Sequence, residues 1–462
     1  MTMRKSCNVL ISKCGNINLD MWKNTKYILL LGLAVRVFIA PFFSSSDISV
    51  WYQVISDSAQ NLVIYDLLHF SYPPLWGFIL SFWGKLFVNI LGISSVGQYV
   101  SSIEPVNALN NYIPLNVISP WLNLIIKIPI MLADFAIAWL IYSLLKDTGT
   151  KIAKIAVAFW LLNPLVISAG YILGQFDSIP ALFMLLALIF FWKDKRFFSG
   201  VSLSIGILFK LYPAFVLPAY LAVLLFSNNR LKTKFRNIGE YCLGLLLPII
   251  FVILPMMKSH IWIEIFSRTQ ISEPMGINFW FYNFSPNISR LLKSIPGFVT
   301  IESFAPLLAL MILIMSVAFI ARRHGSVQSL IFGQLAMFTG LMAFLYQNSI
   351  PQYFLFILIL LIVIYFTDNI FRFEFFLLSI VATLFYFSTI PTMILANLYP
   401  LAVYTNFISP EYINDYLLSY ALNKPVSLGV YYNFVTLYSG LGFSTFVLII
   451  FKSLRYIYEP KR

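Results

Sequence analysis

The residues best suited to chemistry are acids and cations standing where apolar segments end. Asp47 follows Ser44, Ser45 and Ser46 directly after the apolar run Tyr27 to Phe43. A carboxylate at that edge can take a proton from an attacking hydroxyl, or it can cap the helix that follows. Asp177 ends the turn Leu173-Gly-Gln-Phe-Asp between two apolar runs, so Gln175 and Asp177 offer an amide and a carboxylate to a polar ligand or to the turn itself. Arg36, Lys127 and Lys210 interrupt or border apolar segments. A charge at bilayer depth costs roughly 2.5–3.5 kcal/mol even on insertion scales, so each needs a partner. For the two lysines the alternative to a bound anion is snorkelling to the headgroups. Lys127 and Asp134 stand two helical turns apart on one face and are expected to share a polar seam.

Other segments frame these charges. Tyr72-Pro73-Pro74-Leu75 joins an aromatic to two rigid φ angles and aims the chain back toward the interface. Asn348-Ser-Ile-Pro-Gln-Tyr353 puts Gln352 and Tyr353 at the start of an apolar span, where an amide and a phenol suit sugar hydroxyls or an interfacial belt. Lys258 to Arg268 has the spacing of an amphipathic helix lying on the membrane, with Arg268 able to reach a phosphate. No H-E-x-x-H, G-x-S-x-G or Walker loop occurs, and Cys7, Cys14 and Cys242 are too scattered for a metal site or disulfide framework. Asp57 stands too far from Asp47 for a D-x-D pair. No cofactor is expected, with a metal ion left open.

The elements that must position these groups are membrane helices. With 60% hydrophobic and 11% charged residues over 462 positions, the chain lacks the charge to coat a soluble domain. Its net charge of +13 does not indicate nucleic acid, because the basic residues fall in short clusters between apolar runs. The expected fold is an all-α integral membrane protein, a polytopic helical bundle of about 12 spans. They are placed near 27–43, 119–145, 152–170, 172–192, 197–209, 212–226, 238–257, 301–321, 327–346, 352–367, 374–398 and 430–451.

Charge sets the topology. Residues 1–26 form a basic cytoplasmic tail, 27–451 the membrane domain and 452–462 a second cytoplasmic tail. This parity puts 22 of the 31 Lys and Arg in cytoplasmic segments. It leaves long outer loops at 44–118, 258–300 and 399–429, where function is concentrated. Within the first, 75–91 is read as an interfacial or re-entrant helix, because the loop after it has no Lys or Arg.

An Asp after the first span, Tyr-Pro-Pro-Leu at 72–75, Asn163-Pro164 before Gly-Gln-Phe-Asp, and Leu-Phe-Lys-Leu-Tyr-Pro at 208–213 together resemble the GT-C class of membrane glycosyltransferases. The resemblance covers most of residues 27–353. It is greatest to polyprenyl-phosphate-sugar-dependent hexosyltransferases, both the dolichyl-phosphate-glucose-dependent glucosyltransferases of lipid-linked oligosaccharide assembly and the GPI mannosyltransferases. Arg268 with Asn278-Phe279-Trp280 is similar to the glucosyltransferase loop. Pro351-Gln-Tyr-Phe354 looks more like the mannosyltransferases and the bacterial or archaeal members.

The resemblance implies a GT-C fold and transfer, with inversion, of mannose or glucose from a polyprenyl-phosphate donor. The acceptor would be a hydroxyl of a glycolipid or lipid-linked glycan at the outer face. Asp47 would be the base, with Lys210, Arg268, Lys127 and Arg36 on the donor phosphate. Asp177, Gln175, Tyr72, Gln352 and Tyr353 would contact sugar or acceptor. Intramembrane charges also suit a secondary transporter or lipid flippase, although residues 27–226 and 238–451 show no repeat.

Overall fold

The first apolar run shows how these sequences build the bundle. In the computed structural model, helix α1 (Asp20–Ile39) spans 20 residues, about 30 Å at 1.5 Å per residue, enough to cross the hydrocarbon. Pro41 then tightens the chain into a 3-10 turn, Ala40–Phe42, and Phe43 leaves it extended. The structure describes residues 20–59, 72–89, 100–101, 116–117, 119–254, 301–345, 350–389, 397–405, 408–413, 415 and 428–458.

Beyond the turn, α2 (Ser46–Ala59) and α3 (Pro74–Asn89) pack along each other. A Cβ on Gly84 would stand 2.4 Å from the Ile55 carbonyl oxygen, so this crossing requires a glycine. The segment expected at 75–91 is therefore a helix, joined to the one that carries Asp47. A two-residue antiparallel pair, β1 (Val100–Ser101) with β2 (Asn116–Val117), is the strand structure among the described residues.

The remaining elements are helices. Ser119 caps α4 (Pro120–Leu145), accepting from Leu122 N at 3.3 Å, with Pro120 in the first turn. After α5 (Thr150–Leu161), Asn163-Pro164 breaks the span and starts the short α6 (Pro164–Ile167), which runs into a π turn, Ser168–Ile172. Asn163 satisfies the break at both ends of its amide: Oδ1 accepts from Leu165 N and Nδ2 donates to Ser379 Oγ at 2.9 Å. There follow α7 (Ser178–Trp192), α8 (Arg196–Phe209), a 3-10 turn Tyr212–Val216 leading into α9 (Leu217–Phe226), and α10 (Leu231–Ile253). The C-terminal part has α11 (Ile301–Arg322), α12 (Val327–Phe344), a 3-10 turn Pro351–Phe354 into α13 (Leu355–Asp368), α14 (Arg372–Thr389), α15 (Tyr399–Thr405) and α16 (Leu428–Tyr458).

Every apolar segment expected from the sequence contains a helix. Among the described residues five helices are long and apolar enough to cross a membrane, or six when the pair bent at Asn163-Pro164 counts as one span. Five further apolar helices are shorter. At the centre lies α13, apolar and buried from Leu355 to Ile364 and packed against α4, α5, α7, α12 and α14. Helix α10 lies at the edge and exposes Phe235, Leu246, Ile250 and Phe251, while the charges of Arg36, Lys127, Asp134, Asp177 and Lys210 are buried. Apolar outside and polar inside is the pattern of a protein solvated by lipid.

The helices run so that chemistry and topology charge collect at opposite ends. Lys210, after α8, returns to within 2.7 Å of Asp177, before α7, so these two ends of the antiparallel pair meet. Their other ends are joined by the link containing Lys193 and Lys195. At that end Lys234 Nζ donates to the Leu225 carbonyl, Arg323 Nε to the Ile457 carbonyl, and Lys452 pairs with Glu374 at 2.5 Å.

Candidate active site

Two chain segments leave their helices side by side and carry the acids. On the first, Ser44 N donates to the Asn397 carbonyl at 3.0 Å, Ser45 Oγ donates to the Leu173 carbonyl at 2.6 Å, and α2 begins at Ser46. Asp47 thus stands in the first turn of α2, where the helix dipole favours a carboxylate. On the second, the π turn widens the helix end and Gly174 reverses the chain at φ +68°. A Cβ there would lie 2.2 Å from Ile48 Cδ1, so a side chain would have to displace Ile48 as well as adopt the left-handed backbone.

The result is a chain of polar contacts. Gln175 Nε2 donates to Asp47 Oδ2. Lys210 Nζ donates to Asp177 Oδ2 at 2.7 Å and, at 3.4 Å, to Gln175 Oε1. Tyr212 OH donates to the Asp177 carbonyl at 3.4 Å. Lys210 is held in this place because α8 stops at Phe209 and Lys210 is extended, at φ −150° and ψ 149°, before the next turn begins. Three rings face its ammonium group: Phe176 at 4.5 Å, Tyr353 at 4.9 Å and Tyr72 at 5.6 Å from centroid to Nζ. Tyr212 packs on Tyr353, and Trp76 stacks on Phe176.

The structure therefore brings together Asp47, Gln175, Asp177, Lys210, Tyr72 and Tyr353. Gln352 precedes Tyr353 in the same turn, fully buried, and among the described residues neither of its amide atoms has a hydrogen-bond partner. Asp177 Oδ1 is likewise buried without one. Leaving such groups unmet costs about 1–3 kcal/mol each, a cost that a hydroxyl-bearing ligand would offset. Among the described residues no group of three or more His, Cys, Asp and Glu comes together. Asp57, further along α2, has its carboxyl pushed above the usual carboxylate range by burial.

Two expected phosphate ligands are placed differently. Arg36 spends Nε and Nη2 on Asp134 Oδ2, at 3.1 and 2.9 Å, and Nη1 on the carbonyls of Gly32 and Leu161. Tyr171 OH completes this group by donating to Asp134 Oδ2 at 2.6 Å. Lys127 does not share a seam with Asp134; it donates instead to the carbonyls of Ala40, Phe43 and Tyr171 at 2.6–2.8 Å. The side chains are buried and their donors face protein acceptors, so these cations balance helix ends and a carboxylate inside the bundle.

Arg268, the helix expected at 258–268, Asn278-Phe279-Trp280 and Asn348 lie outside the described residues. Two contributors escaped the sequence reading. Asn397 holds Ser44 through its carbonyl, and among the described residues its buried side-chain amide has no hydrogen-bond partner; an Asn inside an apolar segment was the signal. Tyr212 lies in the Leu-Tyr-Pro motif but drew no role of its own.

Comparison with known proteins falls on the same region. Residues 122–257, which include Lys127, Gln175, Asp177 and Lys210, match the family model described as dolichyl-phosphate-mannose-protein mannosyltransferase. A stretch of 106 residues is 32% identical to GPI mannosyltransferase 1 of Kluyveromyces lactis, covering 22% of this chain and 26% of that protein. The chain thus spans about a quarter of the length of the curated relative it matches. On these two matches and on its own motifs, the chain is recognised as resembling the membrane glycosyltransferases of the GT-C class.

Proposed function

We propose that this protein transfers a hexose from a polyprenyl-phosphate donor to a hydroxyl of a glycolipid or lipid-linked glycan. The observation carrying the reading is the contact chain Asp47–Gln175–Lys210–Asp177, which runs from a half-buried carboxylate to a buried ion pair at one end of a membrane bundle. Mannose is the favoured sugar, because the matching family model and the similar protein are both named for mannosyl transfer.

In this reading Asp47 takes the proton of the acceptor hydroxyl as its oxygen attacks the anomeric carbon. The bond from that carbon to the phosphate oxygen breaks on the opposite side, inverting the centre. A lipid phosphate leaves without needing a proton, so a single carboxylate with cations suffices where a hydrolytic glycosidase employs two. Lys210 and Arg268 hold the departing phosphate, and no metal ion is assigned a part in the step. Tyr72, Gln175, Asp177, Gln352 and Tyr353 contact the sugar or acceptor. Arg36 and Lys127 are left out of this set because their donors are engaged.

The proposed setting is a GT-C fold of about twelve crossings, with both termini cytoplasmic and the site on the outer face of a prokaryotic plasma membrane or of the endoplasmic reticulum. The basic links at the end opposite Asp177 and Lys210 support that orientation. To test the activity, purified protein in lipid nanodiscs is given polyprenyl phosphates labelled with mannose or glucose and a lipid-extract acceptor. A labelled glycolipid and released polyprenyl phosphate are expected. Donor movement between leaflets without a new glycolipid would instead mark a transporter or flippase.

A further inference from the structure

The segments carrying Asp47 and Gln175 run side by side in a constant register. Phe43 and Tyr171 both present carbonyls to Lys127 Nζ, at 2.6 and 2.8 Å. Two residues on, Ser45 Oγ donates to the Leu173 carbonyl at 2.6 Å. Two residues further, Gln175 donates to Asp47. Each pair is separated by 128 positions, so these are successive rungs of one parallel ladder.

We propose that Lys127 is a positioning residue: it forms the first rung, and through it sets the Asp47 carboxylate against Gln175. This rests on the transferase reading above and assigns Lys127 a role other than binding phosphate. Three observations support it. First, the acceptors of Lys127, the carbonyls of Ala40, Phe43 and Tyr171, match in number the three N–H groups of an ammonium ion. Second, those carbonyls stand where α1 and the π turn end, and helix ends leave carbonyls without in-helix partners. Third, the space between the segments is closed by Ile48 against Gly174, whose absent Cβ would also approach Lys127 Cε at 3.4 Å. With no slack at that point, loss of the first rung is felt at the third.

The test is steady-state transfer by the full-length protein in nanodiscs, with labelled polyprenyl-phosphate mannose. Lys127→Met keeps the length of the side chain and removes its donors. A displacement near 1 Å costs about a hundredfold in rate, so kcat is expected to fall by about that factor. The donor KM should stay within about threefold of wild type, because no donor contact is removed. Ser45→Ala breaks the second rung without burying an unpaired charge and should lower kcat about tenfold. The double variant should be about as slow as Lys127→Met alone, since both changes act on one register.

Unchanged kcat in Lys127→Met, a donor KM raised tenfold or more, or fully multiplicative losses would overturn the proposal. Should Lys127→Met fail to fold, unchanged kcat in Ser45→Ala overturns it. Should wild-type protein transfer no sugar, the functional reading fails separately. The register is then tested by oxidising the pair Ser45→Cys and Leu173→Cys: a disulfide is expected with Lys127 present and lost in Lys127→Met. Equal yields in both backgrounds overturn the ladder.

Discussion

Replacing Lys210 with Met takes the cation away from Asp177 and leaves that carboxylate fully buried with only the neighbouring groups around it. Breaking a buried ion pair by deleting one partner costs about 3–5 kcal/mol, against near-neutrality when both charges are removed together. Lys210 is 4% exposed and Asp177 0%, so solvent offers little relief and the upper half of that range applies. The folding equilibrium should therefore fall by roughly three to four powers of ten in Lys210→Met and recover most of the way in Lys210→Met with Asp177→Asn. Unfolding by sodium dodecyl sulfate in mixed micelles, followed by tryptophan fluorescence, reads both. Transfer should not recover: the double variant remains at least about a hundredfold below wild type, because the cation proposed to meet the departing phosphate is still missing. A single variant as stable as wild type, a double variant as unstable as the single, or a double variant with normal turnover would each refute the reasoning.

Gln175→Met removes the donor to Asp47, a bond to a charged group worth about 1.5–3 kcal/mol, and should lower stability by up to about that amount in the unfolding titration as well as slowing kcat, because Asp47 loses the group that holds it. Asp134→Leu strands Arg36 inside the bundle and should cost about 3–5 kcal/mol in the same unfolding titration, with Arg36→Met in addition restoring most of it. Gly174→Ala must adopt φ +68°, about 1–2 kcal/mol of backbone strain, and collide with Ile48; Ile48→Ala should recover part of the loss in stability and in kcat.

The helices were legible because apolar runs interrupted by Pro, Asn or basic pairs are the signal that lipid imposes on a sequence. Boundaries were less so. Helix α1 begins at Asp20, several residues before the apolar run, because a polar first turn continues a helix without adding hydropathy. Asp47, Gln175, Asp177 and Lys210 were recognisable as polar residues at the ends of apolar segments, and the structure brings them together. Arg36 and Lys127 carried the same signal for a different reason. Residue type does not tell whether a buried cation is reserved for a ligand or consumed by the protein. The partner of Arg36 lies 98 positions away, and those of Lys127 are backbone carbonyls, which every residue has. Asn397 stayed unnoticed because its contact to Ser44 is also made through the backbone.

The central claim, that Asp47 is the base, is tested most directly by single-turnover transfer with Asp47→Asn, alongside binding of the labelled donor to the same preparation. Asn keeps the shape of the side chain and can still meet the Gln175 amide, but it cannot take a proton. The account predicts donor binding within about threefold of wild type and transfer lowered by about 10²–10⁴, the range of general-base catalysis. Transfer at or near the wild-type rate by a folded Asp47→Asn protein would contradict it.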